Sequence, residues 1–134
     1  MTDVFGQHRP KIPYQPIADL LAQYRQRDPD KVAIVDLDEG RSITFGDLDR
    51  AVTDIAAALK ARGVCKGSRV LLLSDENLEK LLIWLAAWRL GAVVAPLNIE
   101  LNVPLIADLA VAVSPVTVTK ARSSVTNSLR TASG

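Results

Sequence analysis

The sequence predicts an α/β fold whose core strands run parallel. Residues 69–73 (Arg-Val-Leu-Leu-Leu) form an uninterrupted apolar strand signal, the kind buried on both faces of a parallel sheet. A helical stretch leads from it into a second apolar run at residues 93–95, which makes the strand–helix–strand order of a parallel unit. Its crossover is expected to be right-handed. Upstream, a strongly capped amphipathic helix begins at Thr44.

The elements follow in order. Residues 1–14 read as an extended arm, because Pro10 and Pro13 block helix. Pro16 is tolerated in a first helical turn, and Ile17, Leu20, Leu21 and Tyr24 make one apolar stripe that Asp28-Pro29 terminates. Residues 32–35 and 42–44 flank the turn Asp38-Glu39-Gly40, giving a hairpin. The next helix has Thr44 as N-cap, Asp47 three residues on, and Ile43 and Leu48 as a hydrophobic staple. Leu48, Val52, Ile55 and Leu59 form its expected buried stripe, and Gly63 supplies a left-handed cap after Lys60 and Arg62. After the strand at 69–73, Ser74 or Asp75 is expected to cap a helix that reaches about Leu90 and stops at Gly91. Residues 81–88 are apolar on every side, which predicts a sandwiched helix. The strand at 93–95 should end at Pro96. Residues 103–113 make a further helix closed by Pro115, and residues 116–119 a further strand. The span 120–134, rich in Ser, Thr and Arg, reads as a disordered tail, leaving 15–119 as the folded part.

Composition narrows the function. The chain has 134 residues, 49% hydrophobic and 23% charged, enough for one domain with its own core. A formal charge of +1 gives no electrostatic footprint for nucleic acid. Cys65 is the single cysteine and His8 the single histidine, which excludes an intrachain disulfide and a Cys/His zinc site. The N-terminus lacks the apolar core of a signal peptide. Residues 81–97 are the most apolar stretch, but Arg89 stands within it, at about 2.5–3.5 kcal/mol for a charge at the centre of a span. No membrane span and a cytoplasmic location are therefore expected.

Few residues could carry chemistry. Asp36 and Asp38 flank Leu37 at a strand's end, the spacing by which haloacid-dehalogenase-type phosphatases place acids around magnesium. The following Gly-Thr of that motif is replaced here by Glu39-Gly40-Arg41, and a polar hairpin turn accounts for both acids. Residues 63–68 (Gly-Val-Cys-Lys-Gly-Ser) have the flavour of a phosphate loop, but they leave a helix and enter a strand, the reverse of what a P-loop requires. Residues 123–128 are hydroxyl-rich without glycine or a following lysine. His8 has no visible acid partner, and nothing supplies Cys65 with a base. Trp84 and Trp88, one helical turn apart, read as core filling. No catalytic, cofactor-binding or metal-binding residue is assigned.

The ordered elements carry a resemblance. Residues 29–35 (Pro-Asp-Lys-Val-Ala-Ile-Val), 43–48 (Ile-Thr-Phe-Gly-Asp-Leu), 59–64 with 66–70 (Leu-Lys-Ala-Arg-Gly-Val, Lys-Gly-Ser-Arg-Val) and 85–98 (Leu-Ala-Ala-Trp-Arg-Leu-Gly-Ala-Val-Val-Ala-Pro-Leu-Asn) occur in the right order with natural gaps. Over residues 17–99 the chain resembles the start of the large N-terminal domain of the adenylate-forming (AMP-binding) superfamily: acyl-CoA synthetases, luciferases and peptide-synthetase adenylation domains. The resemblance implies ATP-dependent activation of a carboxylic acid substrate as an acyl-adenylate, followed by transfer to coenzyme A or another thiol, with ATP, magnesium and CoA as the full-length family's cofactors. The family's phosphate loop, magnesium-binding Glu and catalytic Lys map onto no position here, so the resemblance implies an N-terminal fragment, inactive alone and binding none of these groups. Two alternatives stand beside it: a small non-catalytic α/β binding or assembly module, self-associating through apolar surface, and a phosphatase fragment using Asp36 and Asp38.

Overall fold

Residues 12–121 are described by a computed structural model of the chain. Their order is α1 (Ile17–Arg27), β1 (Val32–Asp36), β2 (Arg41–Thr44), α2 (Phe45–Ala61), β3 (Arg69–Ser74), α3 (Leu78–Arg89), β4 (Val93–Asn98), α4 (Val103–Val113) and β5 (Thr117–Ala121). Residues 1–11 of the expected arm, with His8, and 122–134 of the expected tail, with 123–128, lie outside the described residues. β5 runs through Ala121, two residues into the span read as tail, and buries that alanine.

The signals at residue 44 act as read. Thr44 Oγ1 accepts a hydrogen bond from the Asp47 N–H at 3.2 Å, and beyond the α2 C-cap Arg62 comes Gly63, whose φ of +88° only glycine adopts without strain. α2 buries Leu48, Val52, Ala56 and Leu59, while Ile55 is only half-buried against the same cluster. The stripe is therefore shifted by one residue at that turn. β1 and β2 pair antiparallel as a separate hairpin, with Asp36 opposite Arg41.

β3 is the centre of the second sheet, whose order is β4-β3-β5. Both pairings are parallel: Arg69 through Ser74 stand opposite Val93 through Asn98, and Val70 through Ser74 opposite Thr117 through Ala121. Helices α3 and α4 both pack on β3, so its side chains are covered, which explains the burial of Val70, Leu71 and Leu72. The connections leave β3 and β4 in opposite lateral directions, and the right-handed crossover general to parallel units then puts α3 and α4 on opposite faces. α3 packs on α1, α2 and the sheet, and α4 on β3.

Three expectations are corrected. Pro96 does not end the second core strand: β4 continues to Asn98, since the strand lies at the sheet edge, where a missing N–H is tolerated. α3 is capped by Asn77, whose Oδ1 accepts from the Lys80 N–H at 2.8 Å, because Ser74 is the last residue of β3. Nor is residues 81–88 a fully enclosed segment. Leu82, Leu85, Ala86 and Ala87 are buried, but Leu81 and Trp88 are 40% and 45% exposed. α4 likewise half-buries Ile106, Leu109, Ala110 and Val113 and exposes Val103 and Val111.

Candidate functional site

The place where a parallel α/β sheet builds a site is the crevice beyond the carboxyl ends of adjacent strands whose following helices lie on opposite faces. Here that crevice lies past β3 and β4. Ser74, Asp75, Glu76 and Lys80 line one side and Pro96, Asn98 and Glu100 the other, around about 350 Å³. The Ile99 N–H donates to the Ser74 carbonyl at 3.3 Å, holding the two strand ends together. Asn98 Oδ1 accepts from the Glu100 N–H at 2.9 Å and shapes the turn. Asn77 Nδ2 donates to Asp75 Oδ1, and Lys80 Nζ donates to Glu76 Oε1. Ser74 is 2% exposed, and its Oγ finds no hydrogen-bond partner among the described residues.

These groups do not suit a polyphosphate. Asp75, Glu76 and Glu100 oppose Lys80, whose ammonium is already paired. The N-terminus of α3 is capped by Asn77 and carries Glu79 in its first turn, so its dipole already faces a carboxylate. Among the described residues, no group of three or more His, Cys, Asp or Glu could hold a metal ion.

The residues weighed from sequence have structural employment. Asp36 Oδ1 accepts from the Glu39 N–H at 3.2 Å, and Oδ2 from Arg41 Nε at 3.3 Å, while Asp38 is exposed. Asp36 therefore locks the hairpin turn. Arg41 also donates to Glu79 Oε1 at 2.6 Å, tying the hairpin to α3. That bond leads the causes holding the Arg41 guanidinium above its ordinary pKa, so the tie's cation stays charged at any working pH. In the turn at 63–68, Cys65 is exposed and its N–H donates to Ser68 Oγ at 2.9 Å. Trp84 and Trp88 meet edge-on, with centroids 5.6 Å apart. Trp88 does not fill the core as expected but lies at the surface.

Sequence reasoning missed one polar cluster. Asp49 of α2 accepts from Arg89 Nη2 of α3 at 2.8 Å and Arg25 Nη1 of α1 at 3.0 Å, and Arg89 Nη1 donates to Thr53 Oγ1 at 2.6 Å. It bolts three helices together. Its partners lie 24 and 40 residues from Asp49, beyond the reach of any local pattern.

A hairpin and a helix layer packed on a three-stranded parallel sheet define an α/β domain of the doubly wound kind. Residues 21–132 match the AMP-binding enzyme family, and the chain belongs to it. It is 44% identical over 61 residues to the 3-hydroxybenzoate–CoA ligase of Aromatoleum sp. (strain CIB), covering 46% of this chain and 12% of that protein. It is 35% identical over 83 residues to 4-coumarate–CoA ligase 5 of Oryza sativa subsp. japonica, covering 62% of this chain and 15% of that protein. Among solved structures, the inhibitor-bound N-terminal domain of FACL13 from Mycobacterium tuberculosis superposes with a TM-score of 0.74 at 26% identity, over 80% of this chain and 27% of that one. The chain thus has the fold of the N-terminal part of adenylate-forming enzymes, and spans 12% and 15% of the two curated relatives. Among the described residues, no helix is long and apolar enough to cross a membrane.

Proposed function

We propose that this chain is scaffold for an ATP-dependent carboxylate-activating ligase that forms an acyl-adenylate and then an acyl-CoA thioester. On this reading it supplies the first sheet and helices of the large domain, with residues 15–121 as the folded unit. The catalytic, ATP-, magnesium- and CoA-binding residues belong to the rest of the enzyme. The chain alone binds none of these groups and is inactive, and it resides in the cytoplasm. The observation that carries the reading is the parallel β3–β4 register, Arg69 opposite Val93 through Ser74 opposite Asn98, inside a family match spanning residues 21–132. The donor set of the crevice at the strand ends supports the claim of inactivity. The test is ATP–pyrophosphate exchange with a panel of carboxylic acids. No exchange is expected from this chain alone, and exchange dependent on chain concentration would overturn the assignment.

A second reading, a non-catalytic module that self-associates through apolar surface, is favoured by the exposure of Leu81, Trp88, Val103 and Val111. A monodisperse monomer that binds no apolar dye would count against self-association.

A further inference from the structure

The start of α1 and the end of α3 enclose a mainly apolar groove. Residues 14–18 form one side and Trp88, Gly91 and Ala92 the other, around about 450 Å³. Its polar side-chain groups are Gln15, the Tyr14 hydroxyl and the Trp88 indole N–H. Tyr14 is 90% exposed and Trp88 45%. An uncapped helix end opens into the same groove. The N-cap residue of α1 is Pro16, which makes no side-chain cap hydrogen bond. The Pro16 carbonyl accepts from the Asp19 and Leu20 N–H groups, both at 3.1 Å, which leaves the Ile17 and Ala18 N–H groups without an acceptor among the described residues. The described residues start at Ile12, two positions before Tyr14, so residues 1–11 enter beside this groove.

We propose that Asp3, Val4 and Phe5 of the same chain dock in this groove, the Asp3 carboxylate accepting from the Ile17 and Ala18 N–H groups and the Val4 and Phe5 side chains lying against Trp88 and Tyr14. The chemistry of the two partners matches. Asp3 is the single acid of residues 1–11, and it directly precedes two apolar side chains. Aspartate is among the preferred N-cap acceptors, and a phenylalanine ring gains from an aromatic partner. Asp19 already places a negative charge in the first turn of α1, so Asp3 contributes through its hydrogen bonds rather than through its charge. The connection is long enough. Residues 6–11 lie between Phe5 and Ile12 and span up to about 20 Å, and Gly6 and Pro10 among them are residue types that let a chain reverse. The same segment of a second copy has the same chemistry, but the tether holds this chain's own at about millimolar effective concentration, so the contact within one chain wins in dilute solution. Because the occupant belongs to this chain, the inference is independent of the scaffold reading.

NMR and amide hydrogen exchange on the full chain test it. Nuclear Overhauser contacts are expected between the Phe5 ring and the Trp88 indole. Phe5→Ala and Asp3→Ala should each shift the Trp88 indole N–H signal. Each should also speed exchange of the Ile17 and Ala18 amides by about fivefold, the factor equal to a cap contributing ~1 kcal/mol. Both substitutions lie outside the described residues, so the amides of residues 70–72 in β3 should keep their protection, which separates loss of docking from loss of folding. Absence of the Phe5–Trp88 contact overturns the proposal, as does either substitution leaving Ile17 and Ala18 exchange unchanged. A contact that appears only between differently labelled copies in a mixed sample also overturns it, by assigning the groove to a second chain.

Discussion

Replacing Asp49 with alanine removes the acceptor shared by two arginines. The Asp49 side chain is 13% exposed, Arg89 23% and Arg25 56%. Hydrogen bonds to charged groups contribute about 1.5–3 kcal/mol each when well sheltered, and exposed ion pairs about 0.2–1 kcal/mol. The Arg89 contact belongs to the first class and the Arg25 contact to the second. Breaking a fully buried pair costs about 3–5 kcal/mol, but Arg89 keeps Thr53 Oγ1 as an acceptor and part of its surface in water. The balance is a loss of about 2–3 kcal/mol for Asp49→Ala, a fall in the melting midpoint of roughly 6–10 °C for a chain of this size. Thermal unfolding followed by far-ultraviolet circular dichroism measures it. Arg25→Ala should cost only about 0.5 kcal/mol. If Asp49→Ala leaves the midpoint unchanged, or Arg25→Ala is equally damaging, the assignment of the contact to a sheltered Asp49–Arg89 pair is wrong.

Other perturbations probe the sheet and its turns. Leu71→Ala, at a side chain 1% exposed in the central strand, should destabilise by about 3 kcal/mol in urea titration. Gly91 has φ +73°, and an added Cβ would meet Lys66 Cγ at 3.1 Å. Gly91→Ala should therefore cost about 1–2 kcal/mol in the same titration, chiefly through left-handed backbone strain. Ser74→Ala removes a buried hydroxyl that has no partner among the described residues, so stability should hold or rise by up to about 1 kcal/mol. A loss above that size would mean Ser74 Oγ has a partner in solution.

What the sequence made legible was local. Thr44 with Asp47, Gly63 after α2, and the apolar run of β3 each act within a few residues, so their patterns carry the structure directly. The α3 cap was misplaced because Ser74, Asp75 and Asn77 can all cap, and only the length of β3, fixed by pairing on both sides, consigns Ser74 to the strand. Pro96 read as a stop because edge or centre is a property of the sheet rather than of the strand. Trp88 and Leu81 read as buried because the segment is apolar all round, whereas their exposure depends on what covers that side of α3. The polar contacts that hold the helices and hairpin together, Asp49 with Arg89 and Arg41 with Glu79, join residues 40 and 38 apart, a separation at which single-sequence patterns carry no signal. As for a site, the sequence offered isolated acids, a thiol and a turn. The structure gives Asp36 work in its hairpin and Cys65 a partner in its turn.

A graft tests most directly whether this chain is scaffold and nothing more. Residues 17–121 would replace the corresponding segment of the rice 4-coumarate–CoA ligase, and the chimera would be assayed for ATP–pyrophosphate exchange across carboxylic acids. Exchange that persists with the host's own order of carboxylate preference is the predicted result. A folded chimera that exchanges nothing, or one whose preference is rewritten by the graft, would contradict it.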